Sequence, residues 1–197
     1  MSEVPVDLVR AVSGEEVEAA AERLPAWLAP QLARARMLSG ASAGILAETL
    51  DSSDVRVRLA ALGSAPLELL SAQVVERCLG DPEWLVAEQA IFLAGELELR
   101  SLVPRLVELA RTGDEIWVRE AAIAALGAIG DPAAVPVIAA AIRSEKVYVR
   151  RRAVVAAAAF DGEELANALA EARNDRDPQV RALVEEIEGS VTDKRWE

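Results

Sequence analysis

The sequence predicts an all-α protein made of repeated helical hairpins, and three observations support this. Similar segments recur at a period of 31 or 32 residues, starting at Val55, Val86, Val118, Val149 and Val180. A fixed period of this length is typical of helical repeat arrays. Within the copies, apolar residues recur three and four positions apart, which is the spacing of one helix face. No segment alternates polar and apolar residues as a half-buried strand does.

Each copy contains a second helix and clear boundary residues. Pro104 and Pro136 stand 32 residues apart at the predicted start of these second helices. Proline is tolerated there because first-turn N–H groups lack partners within the helix. In Gly130-Asp131-Pro132, glycine can end one helix, aspartate can cap the next and proline can occupy its first position. Each repeat is therefore predicted to be a hairpin of two helices of about 10–14 residues.

The segments outside the repeat are assigned separately. Residues 1–40 do not match the repeat, and Ser13 to Glu16 form a capping box that can open a helix. We expect residues 1–40 to be an N-terminal helical cap that covers the open end of the array. The repeats are assigned to 41–191, and 192–197 are expected to be a mobile tail.

The clearest copy carries a family resemblance. It reads V-R-x-x-A-x-x-A-L-G-x-I-G-D-P-x-A-V-P from Val118 to Pro136. This string resembles the HEAT repeats of phycobilisome-lyase type, and the resemblance covers about residues 42–190. It implies a right-handed α-solenoid of about five HEAT-type hairpins. It also implies that the arginine of each V-R pair is structural and binds loop aspartates between repeats, at Arg56, Arg119, Arg150 and Arg181, with Ala87 in place of one arginine.

Composition limits the classes of partner. The chain has 33 acidic and 21 basic residues and a net charge of −12. Nucleic acids and anionic membranes attract cationic proteins, so neither is expected as a partner. The sequence shows no signal-peptide pattern and no apolar run of about 20 residues. Its one cysteine, Cys78, cannot form an intramolecular disulfide, which favours a reducing compartment, and the expected location is the cytoplasm.

Catalysis is not expected. The chain has no histidine, which removes histidine acid–base catalysis, Ser–His and Cys–His nucleophiles and the commonest zinc ligand. Cys78 stands among apolar residues and is predicted to be a small buried side chain. We therefore expect a protein that is not an enzyme and that holds neither a metal nor a cofactor.

A binding surface is predicted from the positions that the repeat leaves variable. The resemblance implies that the V-R helices face the concave side of the solenoid. Large apolar side chains at non-core positions resemble the anchors of protein interfaces, and packing against neighbouring helices is the alternative for the aromatic ones. The predicted partner-binding residues are Arg58, Leu85, Glu88, Gln89, Phe92, Trp117, Glu120, Tyr148, Arg151 and Arg152.

The predicted function is that of an adaptor, scaffold or assembly chaperone that binds a segment of another protein along this groove. The arginines would face acidic groups of the partner, and Glu88 and Glu120 would face basic ones. The same resemblance implies a second possibility, a bilin lyase-like or chromophore-handling subunit. A HEAT protein of the DNA-alkylation-repair type would need a basic concave face, which the net charge of −12 disfavours.

Overall fold

The computed structural model describes residues 26–193, and every regular element in that range is a helix. The predicted all-α fold class is therefore confirmed. The predicted capping box at Ser13 to Glu16 lies outside the described residues. Of the predicted tail, Thr192 and Asp193 belong to the last helix, and 194–197 lie outside the description.

The chain divides into two compact units, one ending at Ala90 and the other beginning at Ile91. The helices of the first unit are α1 (Ala29–Leu38), α2 (Ala43–Leu50), α3 (Val55–Ser64), α4 (Ala72–Leu79) and the start of α5 (Trp84–Glu96). The second unit contains the end of α5 and then α6 (Val103–Thr112), α7 (Ile116–Ile129), α8 (Val135–Ile142), α9 (Val147–Ala157), α10 (Glu163–Ala172) and α11 (Pro178–Asp193). Single 3₁₀ turns precede or connect some of them at Ala26–Leu28, Leu67–Leu69, Arg100–Leu102 and Pro132–Ala134.

In the first unit, α1 and α3 pack side by side, and α2 packs against both of them. Met37 of α1, Leu46 of α2 and Leu62 of α3 are fully buried. Burying a side chain of this size contributes about 1.5–3 kcal/mol. Thus α1, which falls within the predicted cap, is joined to the first repeat by a shared apolar core.

In the second unit, the helices that carry the repeated valine in their first turn lie side by side. We call α7, α9 and α11 the V-R layer: α7 packs against α9, and α9 packs against α11. Behind them, α6 packs against α7, and α8 packs against both α9 and α10. Ile123 and Val154 of the V-R layer and Leu106 and Ile138 of the helices behind it are fully buried. The unit is therefore a two-layer array whose core lies between the layers.

The predicted boundary residues act as the sequence indicated. Gly130 ends α7 in the left-handed conformation, with φ of 65°, which glycine adopts without steric cost. The Asp131 side chain accepts a hydrogen bond from the backbone N–H of Ala133. Pro104 and Pro136 lie in the first turns of α6 and α8. These caps fix where each hairpin turns.

A buried arginine ties successive loops together. The Arg150 guanidinium donates two hydrogen bonds to the Asp175 carboxylate, at 2.7 and 2.8 Å, and the residue is only 4% exposed. Its Nη1 donates to the backbone oxygens of Ser144 and Glu145 at 3.0 and 3.2 Å. Arg150 thus holds the loop before its own helix and the loop before α11, as the family resemblance implied.

Arg58 makes the same contacts in the first unit. Its guanidinium donates two hydrogen bonds to Asp81, both at 2.8 Å, and one to the backbone oxygen of Ser52. Arg56, by contrast, is exposed and pairs only with Asp54 at the start of its own helix. The structural arginine of the first copy is therefore Arg58, and the predicted assignment of Arg56 is wrong.

The arginine contacts follow one rule along the chain. The structural arginine of each copy donates a hydrogen bond to the backbone oxygen of the residue six positions before it. The pairs are Arg58–Ser52, Arg119–Gly113, Arg150–Ser144 and Arg181–Asp175. In most of the loops that precede these helices, a side chain also accepts a hydrogen bond from the backbone N–H two residues later. The pairs are Ser52–Asp54, Asp81–Glu83, Ser144–Lys146 and Asp175–Asp177. Ser144 therefore occupies the loop position that Asp81 and Asp175 occupy elsewhere.

This equivalence predicts the effect of a Ser144→Asp substitution. Arg119 forms no ion pair within the described residues, and the position that would carry its aspartate holds Ser144. An aspartate there should raise the free energy of unfolding by about 1 kcal/mol, because it completes a half-buried charged pair. The midpoint of urea unfolding measures the gain. If the gain is as large in an Arg119→Gln background, the aspartate acts on something other than Arg119.

Neighbouring helices of the second unit approach closely at glycines. A Cβ atom placed on Gly127 of α7 would lie 2.9 Å from the Ala156 Cβ and 3.0 Å from its Cα. A Cβ placed on Gly95 of α5 would lie 3.0 Å from the Ala125 Cα. Gly95 and Gly127 hold equivalent repeat positions. Because glycine has no Cβ atom, the neighbouring helix can approach closely at both positions.

Candidate functional site

Four large apolar side chains of the second unit lie open to solvent. Phe92 is 56% exposed, Trp117 48%, Tyr148 55% and Val155 49%. We call these four residues the aromatic surface. All four lie on helices that begin a repeat, and the aromatic three were predicted from the variable positions of the repeat. Neither Trp117 nor Tyr148 is a buried core residue.

The repeat register arranges these side chains in two rows. Trp117 and Tyr148 immediately precede the repeated valines of α7 and α9, and these helices pack against each other. Phe92, Ala124 and Val155 hold the equivalent position seven residues later. Seven residues span about 10 Å along a helix, and packed helices lie about 8–10 Å apart. Ala124, in the middle of the second row, is small and half-buried, so it protrudes less from the surface than Phe92 and Val155 do.

Arg151 lies next to Tyr148 and is held in place. Its Nε and Nη2 donate to the two Asp177 carboxylate oxygens at 3.0 and 2.6 Å. Its guanidinium carbon lies 5.9 Å from the centroid of the Tyr148 ring, a cation–π distance. The hydrogen bond from Arg151, with others from the backbone N–H groups of Val180 and Gln179, lowers the pKa of Asp177 to about 2. Arg151 thus already has an acidic partner within the chain.

The structure contradicts one predicted partner-binding residue. Arg58 is buried, and its guanidinium binds Asp81 and the backbone oxygen of Ser52 instead of facing solvent, where a partner could reach it. The physical reason is the register of the first copy. Because the repeat arginine is Arg58 rather than Arg56, the position counted as surface is a core position, and Val57 before it is buried as well.

The remaining predicted residues divide between the two units. In the first unit, Leu85 is exposed on α5, and Glu88 and Gln89 are half-buried on the same helix. In the second unit, the V-R layer carries half-buried Glu120 and exposed Arg152. The structure therefore places Trp117, Glu120, Tyr148, Arg151 and Arg152 on one layer, with Phe92 near the end of α5.

Three residues near this surface were not among the predicted set. Val155 holds the same repeat position as Phe92, so the register itself could have identified it. Lys146 and Arg176 lie in the loops before α9 and α11, and both are exposed. Loop residues fall outside the helical periodicity, and the apolar pattern therefore does not indicate that they lie close to Tyr148.

The described residues were also compared with the features of metal sites, cysteine nucleophiles and membrane-spanning helices. Within residues 26–193, no three residues among Cys, Asp and Glu are arranged to hold a metal ion. Burial raises the pKa of the Cys78 thiol, which keeps it protonated and a poor nucleophile. None of the described helices combines the length and apolar character that a bilayer span requires.

Comparison with known proteins identifies the repeats. The sequence profile of HEAT repeats matches residues 71–157 and 116–188, which together make up more than half of the chain. The X-ray structure of YibA from Escherichia coli is similar with a TM-score of 0.61 and 16% identity, over 93% of this chain and 74% of that one. An engineered protein is similar with a TM-score of 0.56 and 19% identity, over 91% of this chain and 92% of that one. No curated protein matches the sequence. The chain belongs to the family of HEAT-repeat proteins, and its fold is an α-solenoid.

Proposed function

We propose that this chain is a non-catalytic binding protein, an adaptor, scaffold or assembly chaperone, that holds a segment of a partner protein on its aromatic surface. The observation that carries the proposal is the exposure of Phe92, Trp117, Tyr148 and Val155, each about half accessible to solvent. Because each side chain is already about half buried, leaving the rest in water forgoes about half of the roughly 1.5–3 kcal/mol that complete burial contributes. A partner that covers them would recover this free energy.

The surroundings of these side chains support binding rather than packing. The core between the two layers is filled by other residues, and Ile123, Leu126 and Ile138 are fully buried. The aromatic surface therefore lies outside the core. Large aromatic residues at the centre of a surface, with polar groups around them, are typical of the few residues that dominate interface energies.

Several properties of the chain agree with a role without catalysis. The sequence contains no histidine, and its single cysteine is buried. HEAT repeats generally mediate protein interactions, and a repeat array presents an extended surface to which each hairpin contributes a few side chains. The V-R string from Val118 to Pro136 further supports assigning the repeats to the phycobilisome-lyase type, and the cytoplasm is the location we propose.

The test is affinity capture with a triple variant, Phe92→Ala, Trp117→Ala and Tyr148→Ala, beside the wild-type chain. Because interface anchors each contribute 2 kcal/mol or more, the variant should lose at least about 30-fold in affinity and release the partner. Quantitative mass spectrometry of the captured proteins provides the measurement. Circular dichroism first establishes that the variant keeps the helicity of the wild type.

A matched control uses exposed apolar residues of the first unit. Trp27→Ala combined with Leu67→Ala removes a comparable exposed area outside the aromatic surface. This control should retain every captured protein. If the triple variant and the control capture the same proteins as the wild type, the aromatic surface is not the binding site and the proposal fails.

A further inference from the structure

Beside Tyr148, the second unit contains an open cavity with apolar walls. It has a volume of about 650 Å³ and lies where the starts of α7, α9 and α11 come together. Ile116, Val147 and Tyr148 supply its apolar lining. Sites for small ligands and anchoring side chains commonly measure 300–1,000 Å³. The cavity is thus large enough for one or two bulky side chains of a bound segment.

Three cations without carboxylate partners surround this cavity. Lys146 and Arg176 line it, and Arg152 lies one helical turn beyond Tyr148 on α9. All three are exposed, and among the described residues none of them forms an ion pair. The Arg176 side chain donates a hydrogen bond to the backbone oxygen of Glu145, at 3.0 Å.

The neighbouring carboxylates offset only part of the positive charge of these three cations. Asp177 lines the cavity, but both its oxygens accept hydrogen bonds from Arg151. Glu145 also lines the cavity and is the one carboxylate there outside an ion pair. Residues 145–152 and 175–177, at the edge of the aromatic surface, contain five lysine or arginine residues and three carboxylates, so cations outnumber carboxylates here although the chain has a net charge of −12.

We infer that the second unit binds an acidic peptide segment in which aspartate or glutamate residues stand beside bulky apolar ones. Apolar side chains of the segment enter the cavity and cover Tyr148 and Trp117, while its carboxylates bind Lys146, Arg152 and Arg176. Nucleic acid fits less well, because its affinity depends on many phosphate contacts and three cations supply few. The inference rests on the proposed function and names the chemistry of the partner.

The test is a selection from a phage library of random twelve-residue peptides on the full-length chain. Peptides that also bind a Tyr148→Ala variant are removed. The remaining peptides should be enriched in aspartate or glutamate together with leucine, isoleucine, phenylalanine or tryptophan. Binding of an enriched peptide, labelled with fluorescein, is then measured by fluorescence anisotropy at two salt concentrations.

Charge reversal provides the quantitative check. A triple variant with Lys146→Glu, Arg152→Glu and Arg176→Glu should bind the labelled peptide about tenfold more weakly or worse than the wild type. The reason is that each exposed ion pair contributes up to about 1 kcal/mol to binding. Arg111 is an exposed arginine on α6 that forms no ion pair within residues 26–193, and Arg111→Glu should change the affinity by less than about twofold. Raising the salt concentration should weaken binding to the wild type and have little effect on the reversed variant.

The outcomes separate the two proposals. If the peptides that require Tyr148 are neutral or basic, the inference is wrong while the proposed function stands. If acidic peptides without apolar residues are enriched and RNA displaces them, the site binds polyanions and the inference is also wrong. If no enriched peptide depends on Phe92, Trp117 or Tyr148, the proposed function itself fails.

Discussion

Replacing Asp175 with alanine should lower the free energy of unfolding by about 3–5 kcal/mol. The substitution leaves the Arg150 guanidinium buried without its carboxylate, and an unpaired buried charge is among the costliest defects in a protein interior. The substitution also removes the hydrogen bond that the Asp175 side chain accepts from the backbone N–H of Asp177. Urea unfolding followed by circular dichroism gives the change, read from the midpoint at constant slope.

The chain supplies a matched control for this substitution. Arg143 donates two hydrogen bonds to Glu171, both at 2.7 Å, in the same paired geometry but on the exposed surface. Because solvent screens exposed pairs, Glu171→Ala should cost less than about 1 kcal/mol. If the two substitutions cost the same, burial does not determine the contribution of the Arg150 pair.

Acidity gives a second check on the same pair. The hydrogen bonds from Arg150 hold the pKa of Asp175 below its ordinary value of 3.8. A carboxyl with a lowered pKa in the folded state stabilises the fold above its unfolded pKa, and this contribution disappears as the pH falls through the folded pKa. The difference in stability between the wild type and Asp175→Ala should therefore be constant above about pH 5 and shrink below pH 4.

A Gly127→Ala substitution should destabilise the second unit by about 1–3 kcal/mol. The added methyl carbon would lie 2.9 and 3.0 Å from two carbons of Ala156, one of them in the backbone, so α7 and α9 must move apart. This steric cost outweighs the gain of up to about 1 kcal/mol that alanine brings over glycine within a helix. Thermal and urea unfolding measure the net effect.

Gly63 is the control for helix propensity. It lies near the end of α3, is exposed and has nothing within 4 Å of an added Cβ. Gly63→Ala should therefore raise the free energy of unfolding by about 0.4–1 kcal/mol. If Gly127→Ala is stabilising as well, the close contact at Ala156 relaxes without cost and does not set the helix spacing.

The fold could be predicted from the sequence because two independent signals agreed at most repeats. The clearest copy, from Val118, combined helical apolar spacing with the glycine, aspartate and proline that end one helix and start the next. The register of the first copy was predicted wrongly because this copy contains two V-R pairs in tandem, Val55-Arg56 and Val57-Arg58. The regular period favoured the earlier pair, whereas burial selects the later one and shortens the first interval by two residues.

The aromatic part of the surface could also be predicted, and its charged part could not. Register alone places Phe92, Trp117 and Tyr148 outside the core, and all three are exposed. Whether an arginine is available to a partner depends on whether the facing loop carries a carboxylate, and the residue type at equivalent loop positions changes from copy to copy, as with Lys146 and Asp177. Arg151 therefore turned out to be paired with Asp177, while Arg152 beside it remains without an ion pair among the described residues.

Arg58 and Arg150 each bind the loop before their own helix and the loop before the next repeat, and this arrangement makes the array extendable. Residues 150–180 form one period of 31 residues that starts with the arginine and contains the loop aspartate it requires. In a second copy of this segment inserted between Val180 and Arg181, the added arginine would bind the Asp175 backbone oxygen and the aspartate of the copy, and Arg181 would keep an equivalent backbone oxygen. The array could thus be lengthened by one repeat without designing a new junction.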